Sequence, residues 1–210
     1  MINFGFLHSR VFARFFFKRS IKLKPLKIVI GASGISQEGW VTSEIRLLNL
    51  LKPVDWDRYF SNHPIDAILA EHVWEHLTKE EGIVAAKTCF QYLTDGGYLR
   101  VAVPDGLHPD PKYIEWVKPG GVGPGANDHK TLYSYKTFKE IFESAGFKVD
   151  LLEYFDECGT FHYKEWNTNE GMICRSKRFD ERNKNGELNY TSIILDARKI
   201  GSGHDGNSKT

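Results

Sequence analysis

Lys27-Ile-Val-Ile-Gly-Ala-Ser-Gly34 is the stretch on which the reading of this chain turns. A short β-branched run, Lys27–Ile30, breaks straight into a turn bounded by Gly31 and Gly34. Glycine lets a backbone turn sharply and come close to a bulky ligand. Downstream, the apolar periodicity alternates between strand-like and helix-like stretches. Trp40–Ile45 reads as a second strand and Ile65–Ala70 as a third, the latter after the turn-like Ser61-Asn-His-Pro64. Thr78-Lys-Glu-Glu81 predicts a helix start, with Thr78 as cap and Glu81 closing a capping box. That helix runs to about Leu93, is stopped by Asp95-Gly-Gly97, and gives way to a strand, Tyr98–Val103, closed by Pro104. Residues 104–130 hold five prolines and five glycines, too many for a regular element. Tyr135–Ala145 is a helix ended by Gly146, and Phe147–Tyr154 and Tyr190–Ala197 are strands. Strands alternating with helices predict an open α/β sheet. Ligands of such sheets sit beyond the carboxyl ends of the strands, near a switch in strand order. Chemistry is therefore expected in the loops after Ile30, Ile45, Ala70 and Val103.

A length of 210 residues with 41% hydrophobic side chains suits one domain. The formal charge of +1 excludes a domain-wide basic footprint for nucleic acid. Cys89, Cys158 and Cys174 have no CxxC spacing, which argues against a disulfide scaffold and for a reducing, cytoplasmic setting. The charge is unevenly spread. The first acid is Glu38, so residues 1–37 carry +7 and the remainder carries 21 − 27 = −6. Residues 1–24 read as a basic amphipathic segment, where Phe4, Phe6, Leu7, Val11, Phe12, Phe15, Phe16 and Phe17 are interrupted by Arg10, Arg14 and Lys18. Three readings of it stay open: a helix packed on the domain, an anchor on anionic lipid, or an organelle presequence. The domain proper is expected over 25–199, with 156–189 inserted before the last strand and a disordered polar tail over 200–210.

Four segments arrive in order: Ile28–Gly34, Gly39-Trp-Val-Thr-Ser-Glu44, Asp66-Ala-Ile-Leu-Ala-Glu-His-Val-Trp-Glu-His-Leu77 and Leu93–Asp105, followed by Ala145-Gly146-Phe147. Together they resemble the class I S-adenosylmethionine-dependent methyltransferases, most of all the small type 11 branch often found among sugar- and polysaccharide-modifying enzymes. The likeness covers roughly Lys27–Tyr154. It implies a Rossmann-like fold with a mostly parallel seven-stranded sheet and helices on both faces, and S-adenosylmethionine as cofactor. Carried onto this sequence, it implies a cofactor loop of Gly31, Ala32, Ser33 and Gly34, with Glu44 on the ribose hydroxyls. Asp55 and Trp56 would take the adenine amine and ring face, although Trp56 suits a core position equally well. Glu71 and His72 would line the methionine end. The sequence departs from the pattern at Val29, where many relatives carry an acid, and it lacks the third glycine of the longer loop.

His72-Val-Trp-Glu75-His76 has rival readings. It matches the HxxEH pattern of a class of zinc peptidases, which requires a helix and a third ligand. In the methyltransferase family the Glu-His pair most often serves structure. Small-RNA 2′-O-methyltransferases and ubiquinone-pathway O-methyltransferases carry a similar ExxEH segment that holds a divalent metal. The positions matching it here are His72, Glu75 and His76, with His129 as a distant fourth, and a histidine in first place favours zinc over magnesium.

A sugar or phenol hydroxyl needs a base near neutral pH. Asp105, His108, Asp110, Asp128, His129 and Tyr133 are candidates on the long loop, and long irregular loops in compact domains are usually functional. His129 is favoured as the base, with Asp105 orienting the acceptor. Arg175, Lys177, Arg178 and Arg182 in the insertion would either meet phosphate or carboxylate on a substrate or form a solvated hairpin. The expected function is methyl transfer from S-adenosylmethionine to oxygen of a sugar-like or other small hydroxylated acceptor, a glycan included. Peripheral membrane contact through residues 1–24 would suit a lipid-linked acceptor. Two other classes compete: a non-catalytic binding protein of the same fold, and a zinc hydrolase using His72, Glu75 and His76.

Overall fold

The computed structural model describes residues 13–201. A helical segment over 13–20 leads into β1 (Lys27–Ile30), β2 (Val41–Ser43), α1 (Pro53–Phe60), β3 (Ile65–Glu71), α2 (Lys79–Tyr92) and β4 (Leu93–Pro104). Then come α3 (Pro111–Val117), α4 (Tyr135–Ser144), β5 (Lys148–Phe155), β6 (Phe161–Tyr163) and β7 (Ser192–Arg198). The first part of the basic segment, residues 1–12, and all but the first two residues of the polar tail lie outside the described residues.

The seven strands form one sheet in the order β2-β1-β3-β4-β7-β5-β6. The half from β2 to β4 pairs in parallel, and the half from β4 to β6 pairs antiparallel. The expected Rossmann-like α/β architecture and its seven strands are present. The expectation of a mostly parallel sheet describes only the first half. Parallel neighbours need a crossover, usually a helix. After β5 the chain makes a hairpin to β6 and then returns through the insertion to slot β7 between β4 and β5.

The two faces of the sheet are covered differently. One face sends Ile28, Ile30, Ile68, Val101 and Leu195 into a core with Trp56 of α1, Ala85 and Ala86 of α2, and Phe138 and Phe142 of α4. The other sends Val29, Ala67, Leu69, Ala102 and Ile194 against Trp40, Trp166, Ile173 and Phe179. Helices on both faces were expected, yet this second cover is the loop at Trp40 and the insertion. Among the insertion's described residues the only helical pieces are two 3-10 turns, Thr168–Glu170 and Glu181–Asn183.

An irregular cover must find partners for its buried backbone, and charged side chains of the sheet supply them. Arg100 donates to the carbonyls of Asn167 (2.8 Å) and Gly171 (2.7 Å) while its fork holds Asp196 at 2.7 and 2.9 Å. Glu153 accepts from Trp166 Nε1 (2.9 Å) and the Lys177 amide (2.8 Å).

Local rules account for most element ends. Thr78 and Glu81 form the expected box, each side chain accepting from the other's backbone N–H at 3.2 and 2.9 Å. Two short helices appear where none was expected. In α1, Pro53 pre-sets the first turn, and Trp56, Tyr59 and Phe60 bury at helical spacing. In α3, Pro111 again opens the helix, with Asp110 Oδ1 accepting from the Lys112 amide at 2.8 Å. The following loop folds back on α3 so tightly that a Cβ at Gly123 would meet the Trp116 carbonyl oxygen at 2.5 Å. Gly106 and Gly121 are as tightly placed, whereas Gly120 and Gly125 take left-handed turns with open space around them.

Candidate functional site

The parallel half of the sheet ends in a cleft. At the tip of β1 the chain turns through Gly31 (φ +62°), Ala32, Ser33 (φ +44°) and Gly34 (φ +85°). A Cβ at Gly31 would meet Val73 Cγ2 at 2.8 Å, so this close approach to the β3 loop requires glycine. The Ala32 amide is held by the Ser43 carbonyl at 3.1 Å and the Ala32 side chain is buried, which leaves Gly31 and Ser33 on the cleft wall. Glu44, just past β2, lies exposed on the same wall. Leu48, Leu50 and Leu51 form an apolar stretch of it. The cleft measures about 530 Å³.

A second cavity of about 300 Å³ adjoins the first and shares Gly31, Ser33, His72 and His76 with it. It also takes in Glu71, Glu75, His129, Arg175, Trp116 and Tyr190. His72 stands where the two meet, in the left-handed backbone region (φ +56°) that non-glycine residues rarely adopt. Its Nε2 lies 3.0 Å from Ser192 Oγ, and that hydroxyl donates to the Arg175 carbonyl at 2.7 Å. Its Nδ1 lies 3.0 Å from Glu75 Oε1.

Glu75, His76 and His129 form the polar corner of this cavity, with donor atoms all within 4.8 Å of one another. Glu75 is only 1% exposed, and neither carboxylate oxygen has a well-aligned hydrogen-bond donor. Burial by itself would raise its pKa, but the ion pair with His72, helped by the charge of His76, outweighs this and holds Glu75 below the usual carboxylate range. His76 Nδ1 is buried without a hydrogen bond, 3.3 Å from Asp128 Oδ2. His129 Nδ1 lies 2.7 Å from the Val117 carbonyl, a contact that requires the proton on Nδ1 and leaves Nε2 with its lone pair in the neutral ring. The rings of His76 and His129 meet edge to face at 4.9 Å.

The other expected site residues stand elsewhere or are already committed. Asp55 pairs with Arg58 at 3.1 Å on α1 and borders neither cavity. Trp56 is fully buried in the core, donating to the Asn49 carbonyl. Gly34 sits on the loop beyond the cleft wall, where a Cβ would meet nothing. Glu71 borders the second cavity, but its carboxylate accepts from the Cys174 and Arg175 amides, each at 2.9 Å, and so anchors the insertion. Asp105 is fully buried and accepts from the Leu107 and Phe155 amides. Burial pushes its pKa up to about 6. His108 is buried against Tyr113, with Nε2 on the Leu188 carbonyl. The hydrolase set does not assemble: Trp74–His76 is a 3-10 turn rather than an α-helix, and His72 is not one of the clustered donors.

A sequence profile described as a methyltransferase domain matches residues 28–152. The chain belongs to the methyltransferase-domain family. No curated protein matches its sequence significantly. Among solved structures it is similar to a SAM-dependent methyltransferase from Archaeoglobus fulgidus (16% identity, 94% of this chain and 100% of that one, TM-score 0.49). It is also similar to a SAM-dependent methyltransferase from Thermotoga maritima (13%, 90% and 90%, 0.46). A third likeness is to the methyltransferase SibL, of which it spans 43% (13% identity, 83% of this chain, 0.47).

S-Adenosylmethionine is the expected cofactor of this methyltransferase, and the cleft suits it. The cleft offers a glycine turn, a strand-end carboxylate and an apolar wall. Val29, at the position where many relatives carry an acid, packs into the second-face core. Leu48, Leu50 and Leu51 were not singled out from sequence, since leucines in a loop carry no chemical signature. Trp116 and Tyr190 were missed for the same reason. Of the four insertion cations, Arg175 borders the second cavity. Arg182 is bound to Asp180 at 2.7 Å, and Lys177 and Arg178 lie over the rings of Tyr163 and Phe179.

Proposed function

We propose that this methyltransferase moves the methyl group of S-adenosylmethionine to a hydroxyl oxygen of a small sugar-like acceptor. The observation that carries the reading is the pair of adjoining cavities, one apolar with a strand-end carboxylate, the other polar with His129. The cofactor supplies a methyl group already activated on a sulfonium, so the protein's task is chiefly alignment and proton removal. In the first cavity Glu44 accepts from the ribose hydroxyls, and Gly31 and Ser33 lie against the amino-acid end. His72 fixes the boundary, because both its ring nitrogens are engaged. In the second cavity His129 Nε2 takes the acceptor's proton, and the rings of Trp116 and Tyr190 give a sugar flat surfaces to lie on. Asp105 supports the acceptor side indirectly by tying the end of β4 to β5.

Calorimetric titration with S-adenosylhomocysteine tests the cofactor half. The expected result is binding that Glu44→Ala weakens tenfold or more, about 1.4 kcal/mol. No binding at millimolar ligand would overturn it. His129→Ala tests the acceptor half: it should cut turnover by about a hundredfold or more while leaving S-adenosylhomocysteine binding unchanged, and undiminished turnover would remove His129 as the base.

One observation favours a second reading. The clustered, under-bonded donors of Glu75, His76 and His129 suit a divalent ion such as zinc, which would polarise the acceptor hydroxyl in place of a bare imidazole. Metal analysis of untagged protein, together with turnover in chelator, separates the two. A bound ion lost in His129→Ala supports the metal. Metal-free protein with undiminished turnover removes it.

A further inference from the structure

The methyltransferase reading leaves the start of the chain unexplained. Over residues 13–24 the structure does two opposite things with aromatic and aliphatic side chains. Phe17 and Ile21, one helical turn apart, are buried. Phe17 lies against Tyr59 (4.9 Å between rings) and Phe60 (6.3 Å) of α1, which fixes the segment to the domain. Phe15 and Phe16 are each 61% exposed and Leu23 is 55% exposed. Phe16 and Leu23 border a shallow groove with Trp40 and Val41 at the β2 edge of the sheet. Arg14, Lys18, Arg19, Lys22 and Lys24 are exposed around them. No acid occurs before Glu38, so these cations have no acidic neighbour in sequence, while the chain after residue 37 carries −6.

Two exposed phenylalanines on a segment with five exposed cations form a surface with two demands. It must leave water, and it must meet negative charge. A nucleic acid answers the second but gives Phe15 and Phe16 nothing to enter except unstacked bases. An anionic bilayer answers both, since aromatic insertion at the headgroup boundary and Lys/Arg attraction add together. The protein would lie on such a surface rather than span it: no helix among the described residues is long and apolar enough to cross a membrane. We propose that the face carrying Phe15, Phe16 and Leu23, with its surrounding cations, docks the methyltransferase on an anionic lipid surface.

The test is sedimentation of the full chain with phosphatidylcholine vesicles, with and without phosphatidylglycerol. Binding is expected only to the anionic vesicles and should fall as salt rises. The double variant Phe15→Ser/Phe16→Ser and the triple variant Arg14→Glu/Lys18→Glu/Lys22→Glu should each weaken it by about tenfold or more. All these positions are exposed, and unchanged S-adenosylhomocysteine binding certifies the fold of each variant. Equal binding to neutral vesicles, or none to either kind, overturns the proposal. So does binding that charge reversal abolishes while the phenylalanine variant leaves it intact, because that is adsorption without insertion. Tight binding to single-stranded RNA with no vesicle binding overturns it in favour of a nucleic acid partner. None of these outcomes depends on which acceptor the enzyme methylates.

Discussion

Buried charge is treated in two ways in this molecule. Beneath the insertion every buried ionic group is fully engaged: Arg100 with Asp196 and two carbonyls, Glu153 with an indole and an amide, Glu71 with two amides. Asp105, at the end of β4, accepts from two amides as well. At the cleft corner Glu75 is as deeply buried, yet it has one ion-pair contact and no aligned donor, and His76 Nδ1 beside it has none either. An unmet buried polar group is costly. The first set holds an irregular segment onto a sheet. The second borders a cavity, and its unmet valences support the reading that a bound molecule completes it.

The contrast is broken most directly at Arg100. Asp196→Ala leaves a buried guanidinium with only the more distant carboxylate of Glu170 (3.7 Å), and about 3–5 kcal/mol of stability should go with it. Denaturant midpoints measure this. A loss below about 1 kcal/mol would mean that water reaches the guanidinium and that the second face is not sealed by the insertion.

Asp105→Asn should cost less, about 1–3 kcal/mol, because one of two amide donors then faces an NH₂ group. Its pH dependence carries more information. Asp105 has a folded pKa pushed up to about 6, above its ordinary value of 3.8. Between those values the folded state holds more protons than the unfolded one, so stability from this group falls as pH rises through the window. The deficit of Asp105→Asn relative to wild type should therefore widen as pH is lowered from 7 towards 4. A deficit independent of pH would show Asp105 to be hydrated.

Much of this arrangement was legible in the sequence. The glycine turn after β1, the strand-end Glu44 and the Thr78–Glu81 box follow from local rules that tertiary contacts did not override. The second face was not legible. It is built from long-range bonds such as Arg100 to Gly171 and Glu71 to Cys174, and a sequence displays Arg100 as one charge in an otherwise apolar strand. The same blindness affected the site. Asp105 and Glu75 are both acids near strand ends, and nothing local says that one spends its oxygens on amides while the other does not. His129 could be singled out by its place before α4, but the tautomer fixed by the Val117 carbonyl could not.

The smallest expected effect sharpens the comparison furthest. Glu75→Gln keeps the shape of the side chain and removes a charge whose main protein partner is His72, so it should cost no more than about 1 kcal/mol at neutral pH. The sign of its pH dependence should oppose that of Asp105→Asn. Glu75 is held below its ordinary value of 4.5 by His72, so its contribution is present above that value and is lost as pH falls below it. The deficit of Glu75→Gln should therefore close on acidification, where that of Asp105→Asn opens. Paired denaturation curves carried from pH 7 to well below 4.5 would show the Asp105→Asn deficit opening between about 6 and 3.8 and the Glu75→Gln deficit closing only below 4.5. If both deficits run the same way, Glu75 is a saturated structural carboxylate like the rest, and the cavity corner loses its claim to be different.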